Sequence, residues 1–225
     1  MRKLAIDVGN TRTKLALWEN GMRKEWDGKP VEMAMASVTG RTPDWQQELP
    51  GVEVRLLDAD TKLPIALDYS TPETLGADRK AAACGAWALN SERKDCVIID
   101  AGTCVTIDLL SREGVFEGGA ILPGVKMKFE ALHTFTAKLP LIKDSLTDSL
   151  PQGGITGKST LESMTAGVIT ATRMEIECFV DRYREKLGQV EVIMTGGDAE
   201  LLAPKGARIE KDLVLIGINE IMNLR

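Results

Sequence analysis

Two stretches of this chain follow one pattern, and a chain that repeats it has few folds open to it. Leu4-Ala5-Ile6-Asp7-Val8-Gly9-Asn10-Thr11-Arg12-Thr13-Lys14-Leu15-Ala16-Leu17-Trp18 and Cys96-Val97-Ile98-Ile99-Asp100-Ala101-Gly102-Thr103-Cys104-Val105-Thr106-Ile107-Asp108-Leu109-Leu110 each run strand, Asp-x-Gly turn with threonine, strand. In the first, apolar β-formers carry Asp7 to a strand end, and Gly9 and Asn10 permit the turn. A carboxylate beside a polyphosphate makes physical sense through a divalent cation, held directly or through water. Amides and hydroxyls from Gly9 to Thr13 can donate to phosphate oxygens. An ordinary hairpin with a turn-loving Gly-Asn pair explains the first stretch alone equally well. The recurrence favours the other reading, a duplicated, two-lobed α/β fold with a nucleotide held between the lobes. A third glycine turn, Val192-Ile193-Met194-Thr195-Gly196-Gly197-Asp198-Ala199, also follows a strand-like run. A plain strand-to-helix turn accounts for it, and its glycines would also let a flat base or ribose approach the backbone.

A length of 225 residues suffices for two lobes of about 100 each. We place them at 1–94, with the first hairpin, and 95–225, with the second hairpin and the third turn. A net charge of −5 without a basic block argues against nucleic acid or an anionic membrane as partner. Cys84, Cys96, Cys104 and Cys178 are far apart and without Cys-x-x-Cys spacing, so they read as reduced core or near-core thiols rather than a zinc site or disulfide framework. No apolar run is long enough to span a bilayer and residues 1–3 lead straight into a strand, which points to a cytoplasmic protein. The only histidine, His133, has no second histidine or clustered cysteine near it in sequence and reads as structural or solvent-facing.

Between the hairpins, residues 22–27, 31–38 and 52–57 read as strands, 39–50 as a loop, and 69–76 as a loop rich in Ser, Thr and Pro. A helix from Ala77 to about Asn90 has a thin side of Ala81, Ala82, Ala83 and Ala86, suited to close packing on a sheet or a partner. Asp78 and Arg79 fall in its first turn, where helix capping and a solvent ion pair are the ordinary explanation. Phe116-Glu117-Gly118-Gly119-Ala120-Ile121-Leu122-Pro123-Gly124 suggests backbone packed close to something, or a tight turn alone. Gly153-Gly154-Ile155-Thr156-Gly157-Lys158-Ser159-Thr160 is no Walker A loop, because Gln152 stands where the first glycine is needed. Ser159-Thr160-Leu161-Glu162 instead fits a capping box opening a long helix, with Leu161, Met164, Val168, Ile176 and Val180 as its apolar side and its end at Gly188.

The three glycine turns resemble the two phosphate motifs and the adenosine motif of the actin, Hsp70 and sugar-kinase superfamily, whose fold is ribonuclease-H-like. Tyr69, then Gly76-Ala77-Asp78-Arg79, then Gly118 to Gly124, and Gly157-Lys158-Ser159-Thr160 narrow the resemblance to the type III pantothenate kinases, in the family's order from Asp7 to the Gly217 region. The resemblance implies ATP-dependent phosphorylation of pantothenate. Asp78 would be the catalytic base, with Tyr69, Gly76, Ala77, Arg79 and Thr160 meeting pantothenate. Asp7, Val8, Gly9, Asn10, Thr11, Arg12, Thr13, Lys14 and Thr103 would hold the nucleotide, with Asp7 also organising Mg²⁺. It implies further that Asp100 helps bind a monovalent cation, K⁺ or NH₄⁺, and that the enzyme is a homodimer, for which the Ala77 and Thr160 helices could supply an interface. Another kinase or phosphatase of the superfamily would have no reason for Tyr69 with Asp78-Arg79. A regulatory relative of the Bvg accessory factor type fits poorly with intact Asp7, Asp78 and Asp100.

Overall fold

The computed structural model describes residues 1–29, 31–39, 42–142 and 154–224. Strands β1 (Arg2–Val8), β2 (Thr13–Glu19), β3 (Met22–Lys24), β4 (Met33–Val38) and β5 (Val54–Leu56) form a five-stranded sheet in the order β3-β2-β1-β4-β5. β1, β2 and β3 pair antiparallel, while β4 and β5 add in parallel. Strands β6 (Ala66–Leu67), β7 (Asp95–Ala101), β8 (Cys104–Leu110), β9 (Val115–Pro123), β10 (Val190–Thr195) and β11 (Arg208–Ile209) form a second sheet in the order β11-β10-β7-β8-β9-β6. Taken from β9 to β11, its strands follow the same third-second-first-fourth-fifth order as the first sheet, with β6 added beyond β9. The duplication read from the two hairpins therefore extends to the topology of both sheets.

The chain forms two compact units, each discontinuous in sequence. One comprises Met1–Ile98, Asp108–Gly118 and Asp212–Arg225, the other Ile99–Ile107 and Gly119–Lys211.

In the first unit, β1 is central and its Leu4, Ala5 and Ile6 are wholly buried, as its near-continuous apolar run requires of a strand covered on both faces. Leu4, Ile6 and Val8 share one face with Ala34 and Ala36 and pack with Leu49, Trp26 and Trp45. The opposite face carries small residues, Ala5 in register with Ala16. The C-terminal helix α7 (Leu213–Asn223) lies there, since Lys3 of that face donates to the Met222 carbonyl at 3.2 Å. Its other neighbour is the helix α2 (Ala77–Leu89). The two helices touch backbone to backbone: a Cβ on Gly217 would stand 1.7 Å from the Ala81 carbonyl oxygen, and one on Gly85 2.2 Å from that of Leu213. Ala81, one of the alanines that the sequence offers to a sheet or a partner, is thus packed against α7. Gly217→Ala is expected to destabilise the protein by about 2–3 kcal/mol, because the clash is with backbone that can yield only by separating the helices. Thermal melting of the variant checks this.

The second unit holds α3 (Val125–Thr134), tied to the long helical segment by Lys128, whose ammonium donates to Thr172 Oγ1 at 2.8 Å and Glu175 at 2.5 Å. Ser159 caps that segment as expected, its Oγ accepting from the Glu162 amide at 3.2 Å, while Glu162 reaches back past the cap to accept from the Lys158 amide at 2.6 Å. The segment ends at Gly188, with φ of 81°. It is not one regular helix. A short α-helix (Thr160–Thr165) and a longer one (Ala171–Leu187) are joined by a π-helical turn over Ala166–Thr170. Leu161, in the first turn, is exposed, whereas Met164, Val168, Ile176 and Val180 are buried as expected. The strands of the first unit are shorter than 22–27, 31–38 and 52–57, and a short helix at Trp45–Glu48, capped by Asp44, interrupts the stretch read as a loop. Gln152, which rules out a Walker A loop, and Gly153 lie outside the described residues.

Candidate active site

The first unit brings together groups that lie far apart in sequence. The turn between β1 and β2 is closed by the Gly9 amide donating to the Arg12 carbonyl at 3.0 Å. That leaves Asn10, Thr11, Arg12 and Thr13 exposed, with Lys14 half-buried in register with Asp7. Asp7, half-buried at the end of β1, has its carboxyl pushed up to about 6 by burial, against the pull of Lys14 and Arg12 and with a further push from Asp78. Two carboxylates far apart in sequence thus act on each other in one site.

Asp78 sits in the first turn of α2, which has no side-chain cap because Gly76 holds the cap position. The carboxylate folds back to serve instead, Oδ1 accepting from the Arg79 amide at 2.8 Å. Glycine at 76 makes room for this: a Cβ there would lie 2.5 Å from Asp78 Oδ1.

Arg79 is not the solvent ion pair of a generic helix start. Its guanidinium is 8% exposed, with Nε donating to Asp108 Oδ2 at 3.1 Å and Nη2 donating to Asp108 Oδ1. It lies 5.7 Å from the Tyr69 ring centre and 5.6 Å from that of Phe116, and the two rings are 6.0 Å apart. Burial works against its charge, and Asp108 and Tyr69 together more than offset that, so the guanidinium is held above its ordinary value. Burial pushes the Asp108 carboxyl up while Arg79 pulls it down. Gly118, with φ of 91°, lets β9 pass under Tyr69, whose ring would be 3.5 Å from a Cβ there. Asp108 is the site residue that sequence reasoning missed. Its signal was a lone carboxylate inside the apolar run of β8, which burial makes costly without a cation.

In the second unit the β7–β8 turn is tighter, Gly102 donating to the Cys104 carbonyl at 2.9 Å, with Thr103 exposed at the tip and Asp100 half-buried before it. Two glycine stretches that the sequence left separate meet on this turn. A Cβ on Gly124 would stand 2.4 Å from the Thr103 carbonyl oxygen, and one on Gly196, whose φ is 101°, 2.2 Å from that of Ala101. The Asp198 amide donates to the same Ala101 oxygen at 3.0 Å. Thr160 is the exposed first residue of the capped helix. Cys84 and Cys96 are buried, the Cys84 thiol being pushed up to about 12 by burial, but Cys178 is exposed rather than near-core. His133 is exposed, with Nδ1 2.8 Å from the Leu139 carbonyl.

A family model described as type III pantothenate kinase matches residues 31–182. This chain belongs to the type III pantothenate kinase family. The type III pantothenate kinase of Cytophaga hutchinsonii is 37% identical over 98% of this chain and 98% of its own. That of Flavobacterium johnsoniae is 33% identical over 90% of this chain and 88% of its own. Among solved structures, a Campylobacter jejuni protein described as a Baf family transcriptional activator aligns with TM-score 0.63 and 20% identity over 97% of this chain and 96% of that one. The activator of 2-hydroxyisocaproyl-CoA dehydratase from Clostridium difficile, with bound ADPNP, aligns with TM-score 0.53 and 11% identity over 99% and 95%. These two likenesses speak to the fold alone, which is that of the actin, Hsp70 and sugar-kinase superfamily.

Within this pantothenate kinase family member, Asp7, Tyr69, Gly76, Ala77, Asp78 and Arg79 fall in the first unit, and Asp100, Thr103 and Thr160 in the second. Gly76→Ala is expected to fold normally, because the displaced atom is the end of a flexible carboxylate. Moving that carboxylate should nevertheless lower kcat about 10-fold to 100-fold. Steady-state kinetics alongside a melting curve separates the two effects.

Proposed function

We propose that this chain transfers the γ-phosphoryl group of ATP to the primary hydroxyl of pantothenate, giving 4'-phosphopantothenate, the first step of coenzyme A biosynthesis. The observation that carries this reading is the Asp78 carboxylate, folded over Gly76 and next to Arg79, which is locked by Asp108 and lies against Tyr69, in a chain of the type III family. Phosphoryl transfer asks a protein chiefly for position and charge neutralisation. Asp78 Oδ2 accepts the proton of the attacking hydroxyl or aligns it, with proton transfer late in a loose transition state. Tyr69 and the unused N–H groups of Arg79 bind and orient pantothenate, Arg79 as a partner for its carboxylate, with Gly76, Ala77 and Thr160 as further contacts. The amides and hydroxyls from Val8 to Lys14, and Thr103, hold the phosphates.

Among the described residues no group of three or more His, Cys, Asp or Glu side chains is arranged to hold a metal ion. Asp7 alone still fits Mg²⁺ that arrives on the nucleotide: it is a half-buried carboxylate whose charge burial disfavours and a cation would favour. When bound, Mg²⁺ neutralises charge on the phosphate oxygens. Asp100 is assigned to K⁺ or NH₄⁺, supported by its half-buried place before the Gly102 turn. We read the enzyme as a cytoplasmic homodimer, and no described helix is long and apolar enough to cross a membrane.

A coupled ADP-release assay with pantothenate tests the substrate, and turnover on a hexose in its place would overturn the assignment. In the same assay, exchanging K⁺ for Na⁺ at constant ionic strength is expected to abolish most activity, and Asp100→Asn to flatten the K⁺ activation curve. Wild-type indifference to the exchange would remove the cation from the account.

A further inference from the structure

Among the described residues only two buried side-chain polar atoms lack a hydrogen-bond partner, Ser37 Oγ and Trp45 Nε1. Trp45 packs on the apolar face of the first sheet with Leu4, Ile6 and Val8, away from the site. Ser37 is different. It is wholly buried near the end of β4 and stands in register with Asp7 on the neighbouring parallel strand. Register partners on adjacent strands point to the same face, about 5 Å apart. That face is the one α7 covers through Lys3, and the Asp7 carboxylate on it feels the charge of Asp78.

A buried hydroxyl without a partner weakens a fold, and native proteins keep few of them. The small residues Ala5 and Ala16 on the same face show that alanine is tolerated there sterically. The cost of serine at 37 therefore points to a second state in which the hydroxyl is paired, and the acceptor beside it in register is the Asp7 carboxylate.

We propose that Ser37 is a positioning residue for Asp7, its hydroxyl donating to the Asp7 carboxylate when the nucleotide and its divalent cation bind, and so aiming the carboxylate at the cation. The proposal rests on the reading of Asp7 given above and adds a residue no motif identifies. It gives Ser37 opposite effects in the two states: a burden in the free protein and a support in the loaded one.

The test uses the full chain with Ser37→Ala and the volume-matched Ser37→Cys. Without ligand, Ser37→Ala should melt about 2–4 °C higher than wild type. Calorimetric titration with a non-hydrolysable ATP analogue should show that the gain in affinity on adding Mg²⁺, relative to EDTA, falls about 10-fold in both variants. Affinity in EDTA should stay within about 2-fold. A lower melting temperature with an unchanged magnesium effect would make Ser37 a structural hydroxyl and overturn the proposal, as would an unchanged magnesium effect at any melting temperature. The magnesium effect is read without pantothenate, so a wild type that fails to phosphorylate pantothenate counts against the proposed function and not against Ser37.

Discussion

Replacing Asp78 with asparagine is expected to lower kcat at least about 1000-fold, roughly 4 kcal/mol of barrier, while nucleotide affinity changes less than about 3-fold. Asparagine keeps the shape of the side chain, and its amide oxygen can still accept from the Arg79 amide as Asp78 Oδ1 does at 2.8 Å. What it loses is the second oxygen's ability to take a proton and the negative charge that orients the acceptor hydroxyl. Stability should move by about 1 kcal/mol or less, because the turn remains capped and one like charge near Asp7 and Asp108 disappears. Pre-steady-state phosphoryl transfer with saturating ATP and pantothenate, measured beside a melting curve, is the decisive experiment. Near-normal kcat would return Asp78 to the role of a helix cap and take the central residue out of the mechanism.

Replacing Asp7 with asparagine is expected to stabilise the free protein while disabling it. Burial raises the Asp7 carboxyl from its ordinary value to about 6, so the folded state holds its proton where the unfolded state has already lost it. Between about pH 4 and pH 6 the folded chain therefore binds more protons than the unfolded one. Asp7's contribution to stability therefore falls as pH rises through that window, and above it the whole cost is present, up to about 3 kcal/mol. The asparagine variant escapes this cost. Measured in EDTA, its melting temperature should match wild type near pH 4, pull ahead by roughly 5–10 °C at pH 6, and hold that lead at pH 8. With Mg²⁺ and ATP its kcat/KM should be at least about 100-fold below wild type. A melting difference that does not change with pH would show that Asp7 is not under strain in the fold, and unchanged kinetics across a magnesium titration would remove it from the site.

Much of the fold is encoded locally. Apolar strands, Asp-x-Gly turns and period-2 alternation are short-range signals, so both hairpins, the Ser159 helix cap and the glycine stop at 188 are legible in the residues themselves. The repeat of the hairpin implied a repeat of topology, and the two sheets share their strand order. Composition and spacing could also say that Asp78 opened a helix, but not what it faced.

What tertiary structure alone decided were partners separated by long stretches of chain. Arg79 found Asp108, Asp7 found Asp78 and Ser37, and Gly217 found Ala81. Hydrophobic periodicity tells which face of a segment is buried and leaves open against what, since transfer from water is non-directional and indifferent to the identity of the apolar neighbour. A buried charge or an orphaned hydroxyl carries the opposite kind of information. Its cost depends on one particular group arriving within hydrogen-bond distance, and only the packed chain brings that group there.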